Sequence, residues 1–262
     1  MDVGLRSPLL DFFRRGEVAR DLRLLAAEGA IAPRPIEQLG LLALLSDDLD
    51  PEVRATAERT LSKLPLDVVM AVLARADAPT ELREFFQSRG IAPTAPAAAA
   101  QGPDADAPLV DTDATDYGPE EQSAEQKADT VKRIADMTVP EKVKAAMKGT
   151  REMRAALIRD PNKMVAAAVL SCPKLTEQEV EAFARMANVS EDILRTIGST
   201  RAWVKNYSIL LGLTKNPKTP LAMSLTFVHR LNDRDLRGLS IDRNVPEPLR
   251  IAARKKVVLT EK

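Results

Sequence analysis

One pattern constrains this chain more than any other feature: a set of helix starts and stops that returns at a nearly fixed interval. Asp160-Pro161 reads as a helix N-cap followed by a first-turn proline. A side-chain oxygen there accepts an orphan backbone N–H, and the donor that proline lacks is not missed. Val165, Ala168, Val169 and Cys172 follow at i, i+3, i+4 and i+7, one apolar stripe of a helix that Pro173-Lys174 ends. Thr176-x-x-Glu179 is a capping box, and the helix it opens repeats the spacing with Val180, Phe183, Ala184 and Ala187. A third, shorter helix is expected from Ser190 to Gly198.

The same parts return in order. Trp203, Tyr207, Leu210 and Leu211 take the place of the first stripe, Asn216-Pro217-Lys218 breaks the helix, and Thr219-Pro220 caps a helix over 221–231 before a last one over 233–239. Pro173-Lys174 and Pro217-Lys218 lie 44 residues apart, Thr176 and Thr219 lie 43 apart, and Arg195 and Arg237 lie 42 apart. Upstream, Thr138-x-x-Glu141 and the helix after it supply a truncated unit; downstream, Asn244-Val245-Pro246-Glu247 opens a closing helix with Leu249, Ala252, Ala253 and Val257. A period near 43 built from two or three helices lies in the range of helical solenoid repeats. With the Asp-Pro openings and the Val53-Arg54 and Leu249-Arg250 pairs ahead of small residues, the chain resembles the HEAT/armadillo-like superfamily of α-solenoids. The resemblance covers about 138–257 well and 35–75 more loosely. It implies an adaptor or regulatory scaffold that binds partners along a curved face, the commonest role of such solenoids.

The expected fold class is all-α, helical repeats in two domains joined by a flexible linker. Aromatics make up 3% of the 262 residues, which suits closely packed helices better than sheets. An acidic N-terminal helical domain, 1–92, is read from Ser7-Pro8, from a helix over 17–28 stopped by Gly29, from an apolar helix over 35–45, and from an Asp50-Pro51 start with Val53, Ala57, Leu61 and Leu64 on one stripe; two shorter helices, 66–74 and 80–88, precede Gly90. Across 93–128 the composition turns to Pro, Ala and Asp without periodicity, the signature of a self-repelling tether. The basic helical-repeat domain then occupies 129–262.

Charge separates the two halves. Lys and Arg equal Asp and Glu at 38 each, yet residues 1–128 carry 13 basic against 23 acidic groups and residues 129–262 carry 25 against 15. From Arg195 onward there are 14 basic and 5 acidic residues. Such a region attracts an anionic partner. A lone Cys172 excludes an intrachain disulfide and, with a lone His229, a His/Cys zinc cluster. No apolar run approaches the roughly 20 residues that span a bilayer, and Met1-Asp2-Val3-Gly4 does not open a signal sequence, so a cytoplasmic protein without membrane contact is expected.

No catalytic, cofactor or metal residues are assigned, and the chain is read as a non-enzyme. His229 lies in an apolar helix without a nucleophile pattern, Cys172 completes a core stripe, and the 11 glycines form no phosphate loop. Some HEAT-like proteins are DNA glycosylases, but none of their motif residues is matched here. The candidate partner-binding residues are Arg195, Arg201, Trp203, Lys205, Tyr207, Lys218, Arg237 and Arg243. On one continuous helix Trp203 and Tyr207 share a face, with Arg201 and Lys205 on the next; inter-repeat core is the competing assignment for the two aromatics. Arg195 with Arg237 and Arg201 with Arg243 repeat in register, as stacked ladders do. The expected partner is a protein with an acidic surface or segment, the chain's own 104–125 included. The alternative is nucleic acid, bound by the same cations.

Overall fold

The structure is a computed structural model that describes residues 8–32, 34–91, 109 and 134–260. Among these residues it is all helical, and no helix is long and apolar enough to cross a membrane. The chain divides into two compact units, Met1–Arg154 with Ala167–Pro173 and Ala155–Ala166 with Lys174–Lys262. This division falls inside the stretch expected as the basic domain. The expected tether, 93–128, lies outside the described residues apart from Leu109.

The first unit contains α1 (Pro8–Arg14), α2 (Arg20–Ala27), α3 (Pro35–Leu45), α4 (Pro51–Lys63), α5 (Leu66–Leu73), α6 (Thr80–Ser88) and α7 (Val139–Lys148). Its centre is α3, which packs against α1, α2, α4, α5 and α6. The sequence of α3 explains the position. It is apolar nearly all round, begins with Pro35 and buries Leu39, Leu41, Leu42 and Leu45 to 2% exposure or less. Each such side chain contributes roughly 1.5–3 kcal/mol of burial. Gln38, buried among them at 1% exposure, donates from Nε2 to the Gly29 carbonyl at 2.6 Å. Gly29 has φ of +84°, the left-handed stop that its place after α2 predicts. The helix before it starts at Arg20, three residues later than expected. Asp50 caps α4 as expected, accepting from the Glu52 N–H at 2.9 Å.

Two helices, α8 (Arg151–Leu157) and α9 (Lys163–Leu170), carry the chain through the boundary residues. Here the reading of Asp160-Pro161 is corrected. Asp160 accepts from the Asn162 N–H at 2.8 Å, and Asn162 then caps α9 by accepting from Met164 N–H at 2.9 Å. The Asp-Pro pair therefore builds the turn, and the helix starts two residues beyond it. The stripe of Val165, Ala168, Val169 and Cys172 is buried as expected, but Met164, Ala166, Ala167 and Leu170 are buried too. Alanine on every side lets neighbours close around α9, so no polar face remains. Cys172 is 3% exposed and donates to the Met147 carbonyl, which makes it a core residue.

The second unit continues with α10 (Glu177–Arg185), α11 (Glu191–Ser199), α12 (Arg201–Val204), α13 (Tyr207–Lys215), α14 (Leu221–Val228), α15 (Asp233–Ile241) and α16 (Glu247–Thr260). Helix α13 packs against α10, α11, α12 and α14, while α16 covers α14 and α15. Gly212 permits the approach of α10: a Cβ there would stand 3.1 Å from Arg185 Cγ and 3.4 Å from Ala184 Cβ. The capping box at Thr176 is formed, with Glu179 accepting the Thr176 N–H at 3.0 Å. Its expected counterpart is not. Thr219 is buried and does not cap, and α14 begins behind Pro220. The Thr219 hydroxyl is held at 5% exposure without a partner among the described residues, because Asn216 already organises that turn.

Candidate partner-binding surface

The candidate residues sit on α11 to α15 and the turns between them. Arg195 is exposed on α11 and pairs with Glu191 one turn earlier at 2.6 Å. Arg237 occupies the matching place on α15. The two helices are each nine residues long, and Leu194 with Ile197 on one and Leu236 with Leu239 on the other are fully buried. Arg195 and Arg237 thus point out of equivalent helices for the same reason: the apolar residues beside them fix which face turns inward.

Trp203 and Tyr207 do not share a helix face, which corrects the aromatic patch expected from their spacing. The helix stops at Val204 and restarts at Tyr207, because Asn206 accepts from the Ser208 N–H at 3.0 Å and caps α13. Trp203 is half-buried. Tyr207 keeps 39% exposure, but its hydroxyl donates to Asp235 and accepts from the Asn232 N–H at 3.2 Å. Burial, and then the bond to the Asp235 carboxylate, hold the Tyr207 hydroxyl above the ordinary tyrosine range.

That contact has a counterpart 44 residues earlier. Lys163, the residue after the capping Asn162, pairs with Asp192 at 2.7 Å. Tyr207 follows the capping Asn206 and bonds to Asp235, and Asp192 and Asp235 each lie in the first turn of the third helix of their set. An asparagine cap followed by a side chain that reaches an acid two helices on therefore occurs twice. The signal was present in the sequence as Asn162 and Asn206, 44 residues apart, but Lys and Tyr share no property that a comparison of residue types detects.

Other acids of the second unit are also occupied. Glu177 accepts from Asn206 at 2.9 Å, Glu181 pairs with Arg185 at 2.6 Å, and Asp242 accepts from the Asn244 N–H at 2.9 Å. Several cations serve the backbone instead: Arg230 donates to the Val204 carbonyl at 2.7 Å, and Lys256 donates to the Val228 and His229 carbonyls at 3.1 and 2.6 Å. By contrast Arg201, Lys205, Lys218 and Arg243 are exposed and have no partner among the described residues. Lys215, absent from the sequence-based set, is also exposed. With Arg185, Leu211, Gly212, Asn216 and Pro217 it lines a recess of about 200 Å³.

His229 caps the C-terminal end of α14 and faces solvent. Among the described residues, no group of three or more His, Cys, Asp or Glu is placed to hold a metal ion. No family model matches the chain, and no curated protein or solved structure matches it.

Proposed function

We propose that the chain is a non-enzymatic helical-repeat scaffold of the HEAT-like kind, whose second unit binds an acidic surface or segment of a protein partner. One observation carries this reading. Glu177, Glu181, Glu191, Asp192 and Asp235 of the second unit are committed to ion pairs and side-chain bonds, while Arg201, Lys205, Lys218 and Arg243 stand exposed without partners among the described residues. Exposed cations left uncompensated give a positive potential that draws an anionic partner and sets its orientation. The doubled Asn-cap contact and the equivalent helices α11 and α15 support the repeat reading, and with it a surface on which side chains recur at regular intervals. Tyr207 serves the repeat, which leaves the cations as the partner-binding residues.

A labelled oligo-glutamate peptide and a labelled DNA duplex, each titrated into the full chain at low and moderate salt, test the proposal. Expected is binding of the peptide, weakened about tenfold or more by the double variant Arg201→Glu/Arg243→Glu, with unchanged helicity. Failure of the peptide to bind at low salt, or indifference to the double variant, overturns the reading. Tighter binding of the duplex, with a steep loss of affinity as salt rises, replaces it with nucleic-acid recognition.

A further inference from the structure

Between Ile91 and Ile134 the structure describes Leu109, and that residue is not free in solvent. Its side chain is half-buried against the apolar cluster that α3, α5 and α6 build from Ile36, Leu39, Val69, Leu73, Leu82 and Phe86. Its backbone N–H donates to Oε1 of Gln38 at 2.7 Å. Gln38 is, with Glu37, one of two polar residues buried in α3, and it is held rigidly: at 1% exposure, its Nε2 is fixed on the Gly29 carbonyl. The amide oxygen is thereby aimed outward, at the place where a backbone N–H arrives. A buried, oriented acceptor beside an apolar surface reads two properties of an incoming segment, an extended backbone with a free N–H and one large aliphatic side chain.

Leu109 stands in an acidic stretch of the sequence. Asp104, Asp106, Asp111, Asp113 and Asp116 flank Pro108-Leu109-Val110, and carboxylates resist burial. A contact of one aliphatic side chain and one hydrogen bond is weak between separate molecules. Within one chain it is sustained by an effective concentration on the order of millimolar. Docking of this kind is reversible, and a competing segment displaces it.

We propose that the apolar surface over α3, α5 and α6, with Gln38 at its edge, is a docking site for an extended leucine-bearing segment flanked by acids, and that the chain's own Leu109 occupies it in cis. A partner segment of the same chemistry exchanges with Leu109 and frees the acidic stretch. This inference concerns the first unit and does not depend on the cations of the second.

Two measurements on the full chain decide it. In amide hydrogen exchange, the Leu109 N–H is expected to exchange at least about tenfold more slowly than in a free peptide of residues 104–114, and an excess of that peptide is expected to remove the protection. A peptide with alanine in place of the leucine leaves it intact. In the second measurement, labelled 104–114 peptide is expected to bind the Leu109→Ala chain about tenfold or more tightly than wild type, whose site is filled. The half-buried position of Leu109 lets this variant keep its helicity, checked by circular dichroism. An unprotected Leu109 amide overturns the cis contact. Equal peptide binding by wild type and variant, or none by either, overturns the docking site.

Discussion

Arg20 and Arg201 are both arginines at the first position of a helix, one in each unit, and both reach solvent. Arg20 is clasped by Asp50 at 2.6 Å and by Glu52, two acids from the start of a different helix. Arg201 forms no ion pair among the described residues. The contrast extends to their neighbours. Arg23 of α2 pairs with Asp48 in the turn before α4, Arg89 at the end of α6 with both oxygens of Glu58 in α4, and Arg14 of α1 with Glu81 of α6, each tying together segments of the first unit that are distant in sequence. In the second unit Glu181 and Glu191 pair with an arginine of their own helix and Glu177 and Asp235 bind asparagine and tyrosine, while Arg201, Lys205, Lys218 and Arg243 form no ion pair among the described residues. The same residue type is mortar in one unit and display in the other. What decides is where acids lie in the fold, not how many the sequence holds.

Five tests sharpen or break this contrast, and the largest effect belongs to neither kind of arginine. Leu39→Ala is expected to cost about 2–5 kcal/mol in urea unfolding, because the first unit is held by its apolar centre and the ion pairs only trim it. Arg89→Ala comes next at about 1 kcal/mol. It removes the bidentate Glu58 contact and the guanidinium 4.2 Å from the centre of the Phe85 ring, both near the surface where water weakens them. Tyr207→Phe is expected to cost about 0.5–1 kcal/mol by deleting the hydroxyl shared by Asp235 and Asn232.

The pH dependence of the two units should run in opposite directions. Arg20 holds the Asp50 carboxyl, and Arg89 the Glu58 carboxyl, below the ordinary carboxylate range. A depressed folded-state pKa stabilises at pH above the unfolded value, and that stability fades as pH falls through about 4 and below. Melting temperatures of wild type should therefore drop in acid more steeply than those of the Arg20→Gln/Arg89→Gln variant. Tyr207 is shifted the other way. Its raised pKa gives stability that is complete below about 10 and lost as pH climbs past it, so Tyr207→Phe should flatten the alkaline limb alone. The smallest effect is reserved for Arg201→Gln, expected to change stability by no more than about 0.5 kcal/mol. A clear destabilisation there would mean that the displayed cations carry a structural role.

Much of the architecture could be read directly from residue patterns. Helices α3, α4, α6 and α10 lie where proline, capping residues and apolar spacing put them, because each of those signals acts within a few residues. The candidate surface was less legible. Trp203 and Tyr207 have helical spacing, yet Asn206 offers a cap that ends one helix and begins another, and spacing alone cannot show which local option wins. Thr219 matches Thr176 in position but not in role, since Asn216, bonded to the Ala184 and Met186 carbonyls at 2.8 and 3.0 Å, fixes the turn from another helix. Leu109 stands in a stretch whose composition denies a core of its own, and it finds one elsewhere.

The sequence by itself determined that this chain is helical, where most of its helices start and stop, and that its halves carry opposite charge. These follow from local capping, from the 3.6-residue period and from counting. Only the tertiary structure decided that Arg20 is paired and Arg201 is not, that Tyr207 reaches Asp235, and that Leu109 meets Gln38. Each of those outcomes depends on residues 28 to 71 positions apart being brought within bonding distance. Long-range pairing of this kind is fixed by how the apolar faces pack, and no short window of sequence contains it.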